Sequence, residues 1–162
     1  MSARGPVVCV VGPTASGKSA LADLVAERLG SSVVSVDAMQ VYRGMDVGTA
    51  KTPPGERCVP LLMVDVADPL EDYSVRLFQR EARACVDALL DEGRVPVLCG
   101  GTGLYLNAVI DEMEFPAGEK GCEARGRYER LAAERGADAL HALLAERDPE
   151  SAALIHPNNV RR

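Results

Sequence analysis

The sequence lacks the features that would indicate a membrane span, a disulfide framework or a zinc site. No apolar run approaches the roughly 20 residues that a membrane-spanning helix requires. The five cysteines form no CxxC pair, and there are only two histidines. Because the number of cysteines is odd and no two lie close together in the sequence, we expect a protein of a reducing compartment. Cys9, Cys85 and Cys99 are expected to be small core residues. The first residues make a poor signal peptide, so a cytoplasmic protein is expected.

An excess of positive charge is also absent. Lysine and arginine total 18 against 24 aspartate and glutamate, a net charge of −6. This balance excludes a general polybasic nucleic-acid surface, so a nucleic-acid partner would need a local basic face. What remains is ordinary globular composition: 162 residues, 47% hydrophobic and 26% charged, enough for one domain with its own core.

Apolar patterning predicts alternating strands and helices. We expect strands at 6–11, 33–36, 61–66 and 95–99, the first buried on both faces, and helices at 19–29 and 74–92 with another from 104. The apolar face of the first helix comprises Leu21, Leu24, Val25 and Leu29. For the helix at 74–92 we expect Ser74 as the N-cap. Its predicted apolar stripe comprises Val75, Phe78, Ala82, Cys85, Val86, Leu89 and Leu90. The alternation predicts a parallel sheet flanked by helices, over a core at 1–110. Residues 111–162 have helical spacing, and we expect the chain to be cut from something longer.

The strongest motif lies between the first strand and the first helix. The segment GPTASGKS matches GxxxxGK[ST], the P-loop, whose backbone amides surround phosphate oxygens. In it, Lys18 supplies positive charge to the terminal phosphates, and the Ser19 hydroxyl is placed to ligate Mg²⁺. The alternative is a glycine-rich turn that only starts a helix. The motif predicts a P-loop NTPase-like α/β fold and a phosphate site formed by Gly12, Pro13, Thr14, Ala15, Ser16, Gly17, Lys18 and Ser19.

A carboxylate follows the second predicted strand. Ligands of open α/β sheets lie beyond the carboxyl ends of the strands, where Asp37 would be found. Its side chain could accept a proton or hold the water of a metal ion, or it could simply cap a turn. The long segment 37–60 has no clean periodicity, which is typical of a functional or mobile loop.

Five segments together resemble the tRNA dimethylallyltransferase (isopentenyl-tRNA transferase) family. They are GPTASGKSALA (12–22), VSVDAMQVYRGMDVGTAK (34–51), VDVADPLEDYSV (64–75), GRVPVLCGGTGLYLNAV (93–109) and IHPNNVRR (155–162). The resemblance covers most of residues 7–162 and corresponds to the N-terminal part of the family. Two departures stand out: Ala38 replaces a common serine, and Leu61 and Leu62 replace a histidine pair or a histidine with another polar residue.

The resemblance implies a prenyl transfer onto tRNA. The dimethylallyl group of dimethylallyl diphosphate would move to N6 of the adenine on the 3′ side of the anticodon. The P-loop would then hold the diphosphate of the donor, with Mg²⁺ as cofactor. The resemblance makes Asp37 the general base, with Lys18 and Thr14 as further catalytic residues. We also expect a monomer that has no membrane partner.

Further residues are implied to contact the tRNA: Asp37, Ala38, Met39, Gln40, Thr102, Arg125, Arg161 and Arg162. For Thr102 the local alternative is a helix N-cap, and for Arg125 it is a solvated helix face. Lys51 lies in a matching segment and could contact phosphate or be a surface charge.

Two other functions stay open on the residues alone. A small nucleoside, nucleotide or metabolite kinase would also need a P-loop and an aspartate beyond the second strand. A non-catalytic fragment that binds diphosphate would need only the P-loop.

Overall fold

The computed structural model describes residues 5–111, 113–115 and 123–160. The chain divides into two compact units, Met1–Phe115 and Pro116–Arg162. The first unit combines strands and helices, and the described part of the second is helical. Within the described residues, no helix is both long and apolar enough to cross a membrane.

The first unit is built on a parallel sheet, which confirms the predicted α/β class. Its described strands are β1 (Val8–Val11), β2 (Val33–Ser35), β3 (Leu61–Leu62) and β4 (Val97–Gly100). Their spatial order is β1-β4-β2-β3, and each neighbouring pair is parallel. Because the strands run in one direction, the segments that leave β1, β2 and β4 emerge at one edge of the sheet.

Three α-helices accompany this sheet: α1 (Lys18–Arg28), α2 (Val75–Asp91) and α3 (Gly103–Ile110), with a short 3₁₀ turn at Pro54–Glu56. The predicted cap of α2 is confirmed, since Ser74 Oγ accepts a 3.2 Å hydrogen bond from the Leu77 amide. Of its predicted apolar stripe, Phe78, Ala82, Val86 and Leu89 are buried in a core with Val34 and Leu98. The other three members, Val75, Cys85 and Leu90, are half-buried and pack against that core. The described helices of the second unit are α4 (Glu123–Arg135), α5 (Ala137–Arg147) and α6 (Pro149–Leu154).

Two strand predictions are wrong in detail. The third strand ends at Leu62 rather than residue 66, because Met63 and Asp65 have φ values of 61° and 57°, which extended backbone does not allow. The first strand is not buried on both faces: Cys9 and Val11 are exposed, since β1 ends the described sheet and pairs there with β4 alone. Cys9 is therefore no core residue here, whereas Cys99 is buried as predicted and Cys85 is half-buried.

The packed face of α1 also differs from the prediction. Leu21 and Leu24 are 55% and 52% exposed, whereas Ala22 and Ala26 are fully buried. The alanines pack in a cluster with strand residues that include Val33 and Val97. Small side chains let the helix backbone approach the sheet closely, and the position of the start of α1 depends on this approach.

Candidate functional site

The predicted P-loop connects β1 to α1 and ends in left-handed backbone. Gly17 has a φ of 82° at the N-cap of α1, and Ala15 has a φ of 63°. Gly17 has no side chain to cap the helix, so this residue leaves the first amides of α1 without a side-chain acceptor. Lys18 Nζ donates a 3.1 Å hydrogen bond to the Pro13 carbonyl, which folds the ammonium back over the loop.

A glycine pair brings the end of β4 against this loop. A Cβ on Gly100 would lie 2.6 Å from the Val36 carbonyl oxygen, closer than real Cβ atoms approach. A Cβ on Gly101 would lie 3.2 Å from the Gly12 carbonyl oxygen. The glycines therefore allow β4, the end of β2 and the start of the P-loop to lie in backbone contact.

Asp37 begins a tight turn beyond β2. Its Oδ1 accepts a 2.9 Å hydrogen bond from the Met39 amide, and the Ala38 amide donates a 3.2 Å bond to Thr102 Oγ1. The half-buried carboxylate thus has one oxygen engaged in holding the turn. Thr102 precedes α3, but its side chain makes no capping bond to that helix.

Gln40 connects the buried end of β2 to the following loop. Ser35 Oγ donates to Gln40 Oε1 at 2.9 Å, and Gln40 Nε2 donates to the Thr49 carbonyl at 3.0 Å. Ser35 lies in β2 and is 1% exposed, so the side-chain amide of Gln40 is anchored to a buried residue of the sheet. The neighbouring Met39 is exposed.

These elements surround a cavity of about 610 Å³. The cavity lies within the first unit and includes six of the eight P-loop residues, together with Asp37 and Gln40. The predicted site residues that line this cavity are Thr14, Ala15, Ser16, Gly17, Lys18, Ser19, Asp37 and Gln40. The predicted phosphate loop and the Asp37 carboxylate therefore line one cavity.

The end of β4 contributes a buried thiol beside the P-loop. Burial raises the pKa of the Cys99 thiol, while the charge of Lys18 and a hydrogen bond with Ser19 act in the opposite direction. Cys99 and Ser19 both line the cavity. In the described part of the chain, no group of three or more histidine, cysteine, aspartate or glutamate residues could hold a metal ion. The predicted Mg²⁺ ligand, the Ser19 hydroxyl, belongs to a residue that lines the cavity.

Sequence reasoning missed the part of the cavity lining that comes from residues 49–61. Arg57, Cys58 and Leu61 belong to it, together with Thr49, Ala50, Thr52 and Glu56. The Cys58 amide donates to Asp23 Oδ2 at 2.7 Å, and the Arg57 Nε donates to the Thr52 carbonyl at 2.6 Å. The only signal in the sequence was the long aperiodic loop, because no motif pairs these residues with α1.

Lys51 is not a surface charge, which was one of its two predicted settings, and its contact with phosphate stays a prediction. Its side chain is 4% exposed, and its ammonium pairs with Asp46 at 3.0 Å and Asp65 at 2.6 Å. It is absent from the residues that line the cavity. Lys51 instead joins the loop after β2 to the irregular segment after β3.

The remaining predicted residues lie elsewhere. Arg125 is in the helical unit, where its Nε pairs with Glu129 at 2.9 Å on the exposed side of α4. Arg161 and Arg162 lie outside the described residues. Among the residues that depart from the resembled family, Leu61 lines the cavity, whereas Ala38 and Leu62 do not.

Comparisons with known proteins agree with the motifs. The family model described as IPP transferase matches residues 40–162, and the one described as isopentenyl transferase matches residues 5–57. The chain is 52% identical over 157 residues to a tRNA dimethylallyltransferase of Streptomyces coelicolor, covering 96% of this chain and 50% of that one. A relative of the same description from Geobacillus thermodenitrificans is 48% identical over 157 residues, with the same two shares.

Solved structures are similar as well. The tRNA isopentenylpyrophosphate transferase of Bacillus halodurans has a TM-score of 0.65 and 45% identity, over 97% of this chain and 52% of that one. A eukaryotic dimethylallyltransferase acting on tRNA has a TM-score of 0.84 and 27% identity, over 97% of this chain and 39% of that one. The chain spans about half the length of the curated relatives it matches.

Proposed function

The chain belongs to the IPP transferase family, and on that premise we propose that it transfers a dimethylallyl group from dimethylallyl diphosphate to tRNA. The acceptor is N6 of the adenine on the 3′ side of the anticodon, and diphosphate is released. The observation that carries the proposal is the shared cavity, in which the P-loop faces the same space as the Asp37 carboxylate.

The P-loop and Lys18 bind the diphosphate of the donor. In the described structure Lys18 is held by the Pro13 carbonyl, so its ammonium already lies over the loop that would receive the phosphates. Negative charge grows on the diphosphate as the allylic carbon–oxygen bond breaks, and loop amides and a cation stabilise that charge. Thr14 lines the same space and would contact the reacting groups.

Ser19 fits a magnesium site of the kind that substrate phosphates complete. Mg²⁺ commonly takes one or two protein oxygens and fills its other positions with phosphate oxygens and water. The Ser19 hydroxyl in the cavity suits that arrangement, and no larger protein ligand cluster among the described residues competes with it. When bound, the ion would add positive charge beside the leaving diphosphate.

Asp37 accepts the proton from the adenine amine. Met39 occupies its Oδ1, which orients the carboxylate and leaves Oδ2 for the substrate. As the bond from N6 to the allylic carbon forms and the bond from carbon to diphosphate breaks, the N6 proton passes to Asp37. An adenine must leave its stack to reach such a group. Ala38 and Met39 follow Asp37 in the same turn and would contact the tRNA from there.

The alternatives have less support. A small kinase would also use the P-loop, but no observation favours it over the transferase, and both family models and the relatives above favour the transferase. We further propose a monomer that works in the cytoplasm, with tRNA and dimethylallyl diphosphate as its partners.

The test is incubation of the 162-residue chain with dimethylallyl diphosphate, Mg²⁺ and unmodified tRNA, followed by nucleoside analysis by mass spectrometry. We expect an N6-dimethylallyl adenosine that is absent when the donor is omitted. A parallel reaction with ATP and a panel of nucleosides should give no phosphorylated product. Donor binding without transfer would contradict the proposed activity and favour a diphosphate-binding chain.

A further inference from the structure

The helical unit brings two arginines onto one tyrosine. Arg127 Nη2 donates a 3.1 Å hydrogen bond to Tyr128 Oη, and Arg147 Nη1 donates a 3.0 Å bond to the same oxygen. Arg127 also lies over the tyrosine ring, with its Cζ 5.0 Å from the centroid. Arg127 is on α4 and Arg147 is in the last turn of α5, so the phenol joins the two helices. We refer to these three residues as the arginine–tyrosine cluster.

No carboxylate neutralises this cluster within the described residues. The ion pairs found there include neither Arg127 nor Arg147. Arg125, two residues before Arg127 on the same helix, is paired with Glu129. Two guanidinium groups that share one neutral acceptor repel each other, and both are exposed to solvent. An unneutralised pair of cations at a fixed spacing is suited to bind an anion.

The cluster also has hydrogen-bond capacity left for a ligand. A guanidinium carries five N–H donors, and each arginine uses one on the phenol. The phenol oxygen has only two lone pairs, and both are taken. The hydrogen bond from Arg127, followed by the charge of Arg147, lowers the pKa of Tyr128, which reflects the positive potential at this point. Planar guanidinium groups match phosphate oxygens in pairs, so a phosphate group suits the free donors.

We propose that the arginine–tyrosine cluster binds backbone phosphates of RNA. The inference rests on the proposed function, which makes a tRNA the polyanion that this chain meets. It also fits the charge balance, because the net charge of −6 requires any RNA contact to be a local basic site. Tyr128 is the positioning residue: it holds the two cations at one spacing, and they contact the phosphates.

The experiment is a filter-binding titration of the whole chain with unmodified tRNA, without prenyl donor, at several salt concentrations. The test variant is Arg127→Ala with Arg147→Ala. The matched control is Arg130→Ala with Arg135→Ala, which removes the same charge from the same unit. Each lost phosphate contact lowers the slope of log K against log salt by about 0.7 to 0.9. We therefore expect the test variant to bind at least tenfold more weakly at low salt, with a slope smaller by about 1.5.

A third variant separates positioning from charge. Tyr128→Phe keeps both arginines but removes their shared acceptor. We therefore expect its affinity for tRNA to lie between that of wild type and that of the double variant. Circular dichroism checks that each variant keeps its helices. Equal losses of affinity and slope in the test and control variants would overturn the proposal, since charge would then act without regard to position. Preferential binding of the chain to vesicles of anionic lipid, rather than to tRNA, would also overturn the proposal.

The outcomes distinguish this site from the proposed reaction. A chain that binds tRNA through the cluster but transfers no prenyl group contradicts only the proposed function. A chain that transfers normally, and whose KM for tRNA is unchanged in the Arg127 and Arg147 double variant, contradicts only the cluster.

Discussion

The Thr102 hydroxyl accepts a 3.2 Å hydrogen bond from the Ala38 amide, 64 residues earlier in the chain. The bond ties the turn after β4 to the turn after β2, which carries Asp37. Thr102 thus acts on the site through backbone, without contacting the cavity itself. Its role as a tRNA contact stays a prediction.

Removing the Thr102 hydroxyl should make the turn that carries Asp37 less well ordered, without changing how tightly the donor binds. For Thr102→Val we expect a loss of about 1 kcal/mol in unfolding free energy, the usual value of one neutral hydrogen bond. Prenyl transfer should slow roughly tenfold or more, since small displacements of a reacting group are costly. Donor affinity should not change. Thr102→Ser keeps the acceptor and should restore the rate in steady-state kinetics; a Thr102→Val enzyme with normal kcat would show that the turn does not need this bond.

Asp37 can be tested with a substitution that preserves its turn. Asparagine retains an Oδ1 that accepts from the Met39 amide but cannot take a proton. We expect Asp37→Asn and Asp37→Ala to slow transfer alike, by roughly 10²–10⁴-fold, with donor affinity nearly unchanged. Single-turnover rates measure the chemical step. Recovery of the wild-type rate in Asp37→Asn would show that the carboxylate serves only to cap the turn.

Lys18 should determine the affinity for the donor. A charge-assisted contact is worth roughly 1.5–3 kcal/mol, so Lys18→Ala should weaken binding of dimethylallyl diphosphate at least tenfold in calorimetry. Arg28→Ala removes the same charge from the other end of α1 and serves as the control. If both variants bind the donor as tightly as wild type, the P-loop is not the diphosphate site.

Gly100 should tolerate no side chain. The added methyl group of Gly100→Ala would lie 2.6 Å from the Val36 carbonyl oxygen, and backbone cannot move aside as a flexible side chain can. We expect urea unfolding to show a loss of about 1–3 kcal/mol or more. Gly103→Ala meets nothing within 4 Å and should leave stability near wild type. Similar unfolding midpoints for the two variants would contradict this close approach.

Lys51 should stabilise the fold in a pH-dependent way. Burial lowers the pKa of Lys51, but hydrogen bonds with Asp65 and Asp46 outweigh it, so the pKa lies above its usual value. A raised lysine pKa adds stability that is fully present below the unfolded pKa of about 10.4 and is lost as pH rises through the folded pKa.

We therefore expect Lys51→Met to cost about 1–3 kcal/mol at neutral pH, less than a fully buried pair because both carboxylates are exposed. The gap between wild type and variant should narrow above about pH 10. Chemical unfolding at a series of pH values measures it. A gap that stays constant through the alkaline range would mean that packing of the lysine chain, rather than its charge, stabilises this loop.

Local pattern was sufficient for much of this fold. The P-loop, the Ser74 cap and the stripe of α2 depend on residues within a few positions of each other, so spacing alone identifies them. The parallel class followed from the alternation of strands and helices. The prediction was wrong where neighbouring backbone geometry decided the outcome, as at Met63 and Asp65, whose positive φ values end β3 early.

The sequence by itself determined that a P-loop motif precedes a helix and that a carboxylate follows the second strand. Only the tertiary structure decided which other residues line the cavity with these groups. Arg57 and Cys58 line the cavity, where Asp23 of α1 accepts a hydrogen bond from the Cys58 amide. Lys51 does not line the cavity and pairs with Asp46 and Asp65 instead. The Lys51–Asp65 and Cys58–Asp23 contacts join positions that are 14 and 35 residues apart. No local period marks them, because they depend on how the chain packs rather than on the propensity of any one segment.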